Sequence, residues 1–563
     1  MRDRTAASSG HRPALGAGRP FLLLAAGLTA SSLAAGCAAK PVAQVSREDL
    51  EKSVTYTTAP GNGQLERLTW ALAGGEPTSL DPALIGDYPG STVEANLCEG
   101  LVRMTADFKI EPGLAEKITR PDDRTIVYDL RPGVTFTNGD PLTPEDVVYS
   151  LERHTQDKKL GSFWSSTYDG VTSIKKTGPM QVTVQFSKPS VLFEESMATP
   201  PGVISQKAYV EKAGATYGTP KGGVMCTGPF ALEKWAPGEQ ITLTRNDNYW
   251  DKTRLAKAKQ VDFKFINDSS TLTSALLAGE VDGMYESPST SYSVLANSGS
   301  GKLYLGPSTQ MVELLPAQET GPMADPRVRQ ALDLAIDKTA LVANVYGPAA
   351  EPLNTMIPPG MWGTGPTRTV FEEAYGKLQD TSKPDLEKAK SLVAEADPAN
   401  RSFVAAMPAG DQTALQILTF VQAAAKEIGL TMTIRQIQPT EFSDLFYNAD
   451  RRKEVDLVYA VGYSEIANPI SYPDNYVRAD GLFNWTGYDD PEVRRLMDEG
   501  LHTADVSTSA ELFVKAQALY TPERLVIPLA GPYEQLYMNN RISGAPVSFA
   551  YLQMPWAAMI GAV

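Results

Sequence analysis

The chain has 563 residues, too many for one compact core, so we expect two or three domains. A formal net charge of −15 excludes a general attraction for nucleic acid or anionic lipid. The three cysteines and three histidines lie far apart in the sequence, which argues against a zinc site.

The first 36 residues have the features of a signal peptide. A basic stretch precedes an apolar run over residues 21–35, which has about the length of a signal-peptide core rather than of a membrane span. The run ends in Leu33-Ala34-Ala35-Gly36-Cys37, which resembles a bacterial lipobox. We therefore expect Cys37 to be acylated and to become the mature N-terminus; secretory cleavage without acylation is the alternative. The polar residues 37–64 are predicted to form a flexible tether.

Five short motifs follow one another between Trp70 and Arg153. They are Leu80-Asp81-Pro82, Glu99-Gly100-Leu101-Val102, Glu111-Pro112-Gly113-Leu114-Ala115-Glu116, Leu130-Arg131-Pro132-Gly133-Val134 and Leu142-Thr143-Pro144-Glu145-Asp146-Val147-Val148. Physically, they indicate short strands and turns that end in a helix, with Thr143 at the N-cap and Pro144 at the first helical position. In this order they resemble the signature of the extracytoplasmic solute-binding proteins of family 5, of actinobacterial type. These proteins are the oligopeptide- and dipeptide-binding lipoproteins of ABC importers.

The same resemblance returns later in the chain. Cys226-Thr227-Gly228-Pro229-Phe230 is one such stretch, and the segment from Asp325 to Leu332 is another. In the second stretch, Asp325 is a predicted helix cap and Pro326 the first helical residue. From Phe403 onward, strand-like and helix-like segments alternate, which predicts a mainly parallel sheet with right-handed crossovers.

The resemblance implies an α/β, two-lobed periplasmic-binding-protein (Venus-flytrap) fold. Its first lobe is enlarged, and its mixed or parallel sheets have flanking helices. The predicted divisions are a signal peptide at 1–36, a tether at 37–64, a first lobe at 65–310 and 525–563 with an extra subdomain at about 88–205, and a second lobe at 311–524. Cys98 and Cys226 both fall in the first lobe. A disulfide between them is expected in an oxidising compartment, and two buried free thiols are the alternative.

The segment Gly462–Pro469 leaves a predicted parallel strand, and ligands bind beyond the carboxyl ends of such strands. In peptide-binding relatives, the corresponding segment carries an acidic residue that pairs with the α-ammonium of the peptide. Glu465 holds that position here, where Asp is more usual, and the aromatic residue common just before it is displaced to Tyr463. A charge-assisted hydrogen bond contributes about 1.5–3 kcal/mol, whereas an unpaired buried carboxylate costs at least as much. Glu465 is therefore predicted to select a cationic end group; an ordinary exposed loop glutamate is the alternative.

Two further ligand contacts are predicted. The loop after Leu80-Asp81-Pro82 resembles a stretch that supplies contacts from the first lobe, and Tyr88 is the candidate there. Asn468 is a weaker candidate from the second lobe. A structural role explains Tyr88 equally well.

The predicted function is that of a lipid-anchored, monomeric receptor on the extracytoplasmic face of the bacterial cell membrane. It would capture oligopeptides or dipeptides between its lobes and deliver them to permease subunits with a cytoplasmic ATPase, without a cofactor or metal. The first alternative keeps the fold and changes the cargo to an oligosaccharide, a metal chelate or another metabolite. The second is a secreted hydrolase, but the sequence has no Gly-x-Ser-x-Gly or His-Glu-x-x-His motif.

Overall fold

The computed structural model describes residues 54–156, 159–363, 365 and 367–563. The predicted signal peptide, Cys37 and most of the predicted tether lie outside these residues. In this part of the chain, no helix combines the length and the apolar sequence that a membrane crossing needs.

The first lobe is built on a mixed seven-stranded sheet. Its strands, in spatial order, are Gly301–Gly306, Glu534–Asn539, Gly283–Met284, Leu65–Ala71, Ala258–Lys264, Gln240–Arg245 and Phe230–Ala236. Leu65–Ala71 runs parallel to Ala258–Lys264 and pairs Trp70 with Phe263. The Trp70 ring is fully buried against Tyr285 and Trp556, with ring centroids 5.3 and 4.6 Å away. The core of this lobe therefore joins residues from both ends of the chain.

A separate antiparallel sheet extends the first lobe. Its strands are Ala115–Asp122, Thr125–Leu130, Gln181–Phe186 and Val171–Gly178. The helix Pro144–Gln156 packs on this sheet through Val147 and Leu151. Thr143 caps the helix, since its backbone N–H and hydroxyl both donate to the Asp146 carboxylate and the Asp146 N–H donates back to the hydroxyl. The predicted cap at Thr143 is confirmed.

The second lobe is built on a six-stranded sheet. Its strands, in spatial order, are Ala350–Pro352, Ile527–Pro532, Met311–Pro316, Leu457–Gly462, Ser402–Pro408 and Thr431–Ile437. The last three strands are parallel, as the alternating pattern predicts, and the first three are antiparallel. The helix Gln412–Glu427 connects two of the parallel strands and buries Ile417, Leu418 and Val421.

The helices flank these sheets. In the first lobe they are Tyr88–Glu94, Pro144–Gln156, Phe193–Ser196, Lys207–Ala213, Ser269–Ala278, Tyr292–Ala296 and Trp556–Met559. In the second lobe they are Pro326–Ala335, Lys338–Val345, Arg368–Tyr375, Leu386–Ala396, Gln412–Glu427, Pro439–Tyr447, Ala449–Arg452, Asp474–Val477, Pro491–Leu501 and Val506–Tyr520. Short ladders join Val102–Met104 to Ile110–Pro112 and Ile542–Ser543 to Gly561–Ala562.

The chain crosses between the two large sheets at residues 307–310 and returns at Tyr533. The sequence prediction placed the return at 525, and this boundary is wrong. The strand Ile527–Pro532 pairs with Met311–Pro316 in the second lobe before Glu534–Asn539 joins the first. Every residue of both strands is buried, so the apolar pattern alone does not separate them.

Cys98 and Cys226 are joined by a disulfide bond in the structure. Both residues are buried in the core of the first lobe. The bond ties the segment after the helix Tyr88–Glu94 to the segment before the strand Phe230–Ala236.

Candidate ligand-binding cleft

Two of the predicted ligand residues, one from each lobe, meet directly. The rings of Tyr88 and Tyr463 have centroids 4.8 Å apart, and both pack against Phe549 at 6.0 and 5.5 Å. Tyr88 begins a helix whose N-cap is Asp87, which accepts a hydrogen bond from the Gly90 N–H at 2.8 Å. The cap fixes the loop that carries Tyr88.

Tyr463 follows the strand Leu457–Gly462, at the position where the topology predicts ligand contacts. Gly462 has no room for a side chain, because a Cβ there would lie 1.9 Å from the Tyr472 hydroxyl oxygen. The close approach of Tyr472 therefore explains glycine at the point where the backbone turns from the strand into the cleft segment.

Glu465 lies two residues beyond Tyr463 and is half-buried. Burial raises the pKa of its carboxyl group to about 7. Burial also raises the pKa of Tyr463, and the charge of Glu465 adds to this. Among the described residues, no lysine, arginine or histidine lies within ion-pair distance of this carboxylate. The carboxyl group is thus close to the ring pair and lacks a cation from this part of the chain.

Asn468 lies at a different place, where the two lobes touch. Its amide donates to the Glu195 carboxylate at 3.2 Å, and burial raises the pKa of Glu195 to about 7. Near this contact, the Val191 N–H donates to the Leu501 carbonyl at 3.1 Å. The structure therefore places Asn468 against the first lobe rather than beside the ring pair.

A polar chain links the ring pair to the crossing segments. Gln310, which ends the first crossing, donates from its amide to the Tyr88 hydroxyl at 3.2 Å and to the Glu286 carboxylate at 2.9 Å. The Glu286 backbone N–H donates to the carboxylate of Glu534 at 3.1 Å. Glu534 directly follows the second crossing, so this chain connects both crossings with Tyr88.

Glu286 and Glu534 were not predicted from the sequence. Burial raises the pKa of Glu534 well above its ordinary range and the nearby charge of Glu286 adds to this, while burial also raises the pKa of Glu286. Glu534 is fully buried and Glu286 half-buried, with a left-handed backbone at φ +55°. The available signal was a single charged residue within each of two apolar stretches, at Met284–Glu286 and at 527–538.

A third buried carboxyl group belongs to the second lobe. Glu313 accepts hydrogen bonds from the hydroxyls of Tyr472 and Tyr476, at 2.5 and 2.9 Å. Burial raises the pKa of Glu313 to about 7 against the effect of these two donors. Neutral donors from its own lobe thus hold one oxygen of this carboxyl group, while among the described residues its other oxygen has no hydrogen-bond partner.

Comparisons with known proteins agree with this architecture. Residues 109–484 match the model of the bacterial extracellular solute-binding proteins, family 5, middle region. Over 480 residues the chain is 26% identical to the oligopeptide-binding protein OppA of Bacillus subtilis. This alignment covers 81% of this chain and 85% of that protein.

Two solved structures show a similar fold. The oligopeptide-binding protein AppA of Bacillus subtilis, in complex with a nonapeptide, has a TM-score of 0.75 at 20% identity. The superposition covers 90% of this chain and 100% of the AppA chain. AgaA of A. tumefaciens R10, in complex with agropinic acid, has a TM-score of 0.73 at 21% identity. The superposition covers 88% of this chain and 99% of the AgaA chain. At these identities the likeness establishes the two-lobed fold.

Proposed function

The chain belongs to the bacterial extracellular solute-binding proteins of family 5, and we propose that it captures peptides between its two lobes for an ABC importer. Relatives named as peptide-binding proteins, OppA among them, support a peptide as the cargo. The observation that carries the proposal is Glu465, a half-buried carboxyl group beside Tyr463.

The physical reason is the cost of a buried charge. Burial raises the pKa of Glu465 to about 7, so its charged form is disfavoured without a partner. The α-ammonium of a peptide would supply that partner and contribute about 1.5–3 kcal/mol through a charge-assisted hydrogen bond. The rings of Tyr88 and Tyr463 would flank the first residue of the peptide, while backbone hydrogen bonds hold the rest.

Closure of the lobes would couple binding to transport. The Asn468–Glu195 and Val191–Leu501 hydrogen bonds join the lobes and would form on closure. A ligand shifts the balance toward this arrangement only as far as it binds the closed form more tightly than the open one. The closed form would then dock on permease subunits whose ATPase is cytoplasmic.

The proposed location is the extracytoplasmic face of the cell membrane, with a lipid on Cys37 and residues 38–64 as the tether. The lipobox-like sequence before Cys37 supports this anchor. Metabolic labelling with an alkynyl fatty acid tests it. The full-length chain should be labelled and the Cys37→Ser variant should not; label on both, or on neither, would contradict the anchor.

A non-peptide solute with a cationic group is the second candidate. Glu465 is one methylene longer than the aspartate usual at this position, and the contact between Tyr88 and Tyr463 limits the room beside it. Both features would suit a compact ligand.

Calorimetry with the purified mature protein separates these candidates. Dipeptides, tripeptides and pentapeptides are titrated alongside N-acetylated copies, into the wild type and into Glu465→Gln. Binding that is lost on acetylation and in Glu465→Gln is the expected result. Binding that is indifferent to acetylation would remove the role of Glu465, and no binding of any peptide would favour the second candidate.

A further inference from the structure

The carboxyl groups of Glu286 and Glu534 lie side by side where the chain crosses between the lobes. The Glu286 N–H donates to the Glu534 carboxylate at 3.1 Å, and the next residue, Ser287, donates from its N–H to the Gln535 carbonyl at 3.2 Å. These two backbone contacts fix the pair. Glu534 is fully buried and Glu286 half-buried, so Glu286 forms the accessible side of the pair and Glu534 lies behind it.

The surroundings of the pair supply few partners for its polar atoms. Within the part of the chain that the structure describes, Ser287 Oγ is buried without a hydrogen-bond partner, and the buried Glu534 carboxyl group meets only backbone N–H groups and the Glu286 carboxyl group. Burial raises the pKa of Tyr551, and the charges of Glu534 and Glu286 raise it further. The Tyr551 ring is held by stacking on Tyr285, with centroids 3.7 Å apart. Buried polar groups normally have partners, so the Ser287 hydroxyl and the carboxyl pair together indicate a polar group that a ligand supplies.

The charge of the pair points to a cation. Two carboxyl groups in contact cannot both be ionised unless a cation offsets their repulsion. Among the described residues, no cationic side chain lies within ion-pair distance of either one, and no three His, Cys, Asp or Glu side chains form a metal-binding group. An organic cation on the ligand is therefore the fitting partner.

The pair also lies next to the proposed peptide site. Gln310 joins Glu286 to the Tyr88 hydroxyl. Burial raises the pKa of Tyr463, which packs on Tyr88, and the charges of Glu465 and Glu286 raise it further. A ligand with two cationic groups could therefore meet Glu465 with one and Glu286 with the other.

We propose that Glu286 and Glu534 form a second cation subsite, which accepts the ammonium or guanidinium group of a basic side chain of the bound peptide. The inference rests on the proposed function and adds a substrate class to it, namely peptides that contain lysine or arginine. A guanidinium group would bind the accessible Glu286 carboxylate through two parallel hydrogen bonds, and Glu534 would add a second negative charge behind it.

Calorimetry at pH 7 with a small set of tripeptides tests this proposal. The probes are trialanine, the three tripeptides with one alanine replaced by lysine, and the three with norleucine at the same positions. At least one lysine peptide should bind about tenfold more tightly than its norleucine counterpart, as expected for a charge-assisted hydrogen bond. In Glu286→Gln and Glu534→Gln this advantage of the lysine peptide over its norleucine counterpart should fall below about twofold.

Glu313→Gln is the matched control, because it alters a buried carboxyl group that tyrosines of the second lobe already hold; the lysine advantage should survive in it. If Glu534→Gln does not fold, the half-buried Glu286 carries the test alone. Equal binding of lysine and norleucine peptides by the wild type, or a lysine advantage that survives in Glu286→Gln, would overturn the second subsite and leave peptide binding intact. No binding of any tripeptide would overturn both proposals.

Discussion

Asp333 in the second lobe and Glu534 at the crossing are both completely buried, but their partners differ. Asp333 lies 2.7 Å from the Lys338 ammonium and 2.8 Å from the Arg524 guanidinium. Burial raises the pKa of Asp333, but the two cations outweigh this effect and hold it below its ordinary value. Burial raises the pKa of Glu534, and its nearest charged partner, Glu286, raises it further.

This contrast separates a structural carboxylate from one that fits a ligand. The Lys338 ammonium also donates to the Leu353 carbonyl and to the Thr381 hydroxyl, so the second-lobe cluster is closed and satisfied. Among the described residues, no cation lies within ion-pair distance of the pair at the crossing, and one member of the pair, Glu286, is only half-buried. A buried carboxylate whose cationic partners are all present stabilises one arrangement of the chain. A buried carboxylate without a cation is itself stabilised when a ligand supplies one.

The largest expected effect comes from breaking the closed cluster. Asp333→Asn leaves Lys338 and Arg524 buried without a counter-charge and should lower the free energy of unfolding by about 3–5 kcal/mol. Urea denaturation followed by circular dichroism measures the loss. The matched control is Asp489→Asn, which removes an exposed ion pair with Arg494 and should cost less than about 1 kcal/mol. Equal losses in the two variants would contradict the structural role of Asp333.

Glu465 has a raised pKa like Glu534, but its proposed partner is the peptide. In the free protein its pKa is about 7, and a bound ammonium group would lower it, so binding releases a proton below pH 7. The affinity for trialanine should therefore weaken as the pH falls below about 7, by up to about tenfold per pH unit. Calorimetry from pH 8 to pH 5 measures this slope. Any binding that remains in Glu465→Gln should show no slope, and a slope that persists there would assign the proton to another group.

Replacing Glu534 should change the free energy of unfolding in the opposite direction to replacing Asp333. The folded protein holds a proton on Glu534 at a pH where the unfolded chain, with an ordinary pKa of 4.5, has lost it. The free energy of unfolding therefore falls as the pH rises above about 4.5. Glu534→Gln needs no proton and should be more stable than the wild type at pH 8 by about 1 kcal/mol or more, without ligand.

Thermal unfolding at pH 5 and pH 8 measures that difference. The exposed Glu66→Gln, which loses only a surface contact with Lys259, should leave the stability nearly unchanged at both values. A destabilised Glu534→Gln at pH 8 would show that the buried carboxylate already has a cation in the folded protein, and the contrast with Asp333 would disappear.

The sequence predicted the fold where its signals are local. Thr143 and Asp325 cap helices as predicted, and the alternating segments from Phe403 form parallel strands. The lobe boundary at 525 was wrong because the pairing of Ile527–Pro532 with the second sheet depends on contacts with residues about 200 positions away.

The residues of the candidate site also divide into those that sequence motifs predicted and those that only the fold brings together. Tyr88, Tyr463 and Glu465 came from stretches that resemble a family, and Tyr88 and Tyr463 are in contact in the structure. Glu286 and Glu534 are 248 residues apart and occur in no shared motif, so only the fold brings them together. Asn468 was selected by its position in the cleft segment, which does not reveal that its amide faces Glu195.

Asn468 and Glu195 form an intermediate case, in which a half-buried carboxyl group receives one neutral donor from the other lobe. Asn468→Ala removes that donor from the closed arrangement and leaves the open one unchanged, so it should weaken the affinity for every ligand by about threefold to tenfold, in line with one hydrogen bond. Calorimetry with trialanine and with longer peptides measures the loss. Loss of a residue that stabilises lobe closure should lower all these affinities by the same factor, because the same closing equilibrium contributes to the binding of every ligand. A loss confined to one peptide length would instead assign Asn468 to the ligand, as the sequence suggested.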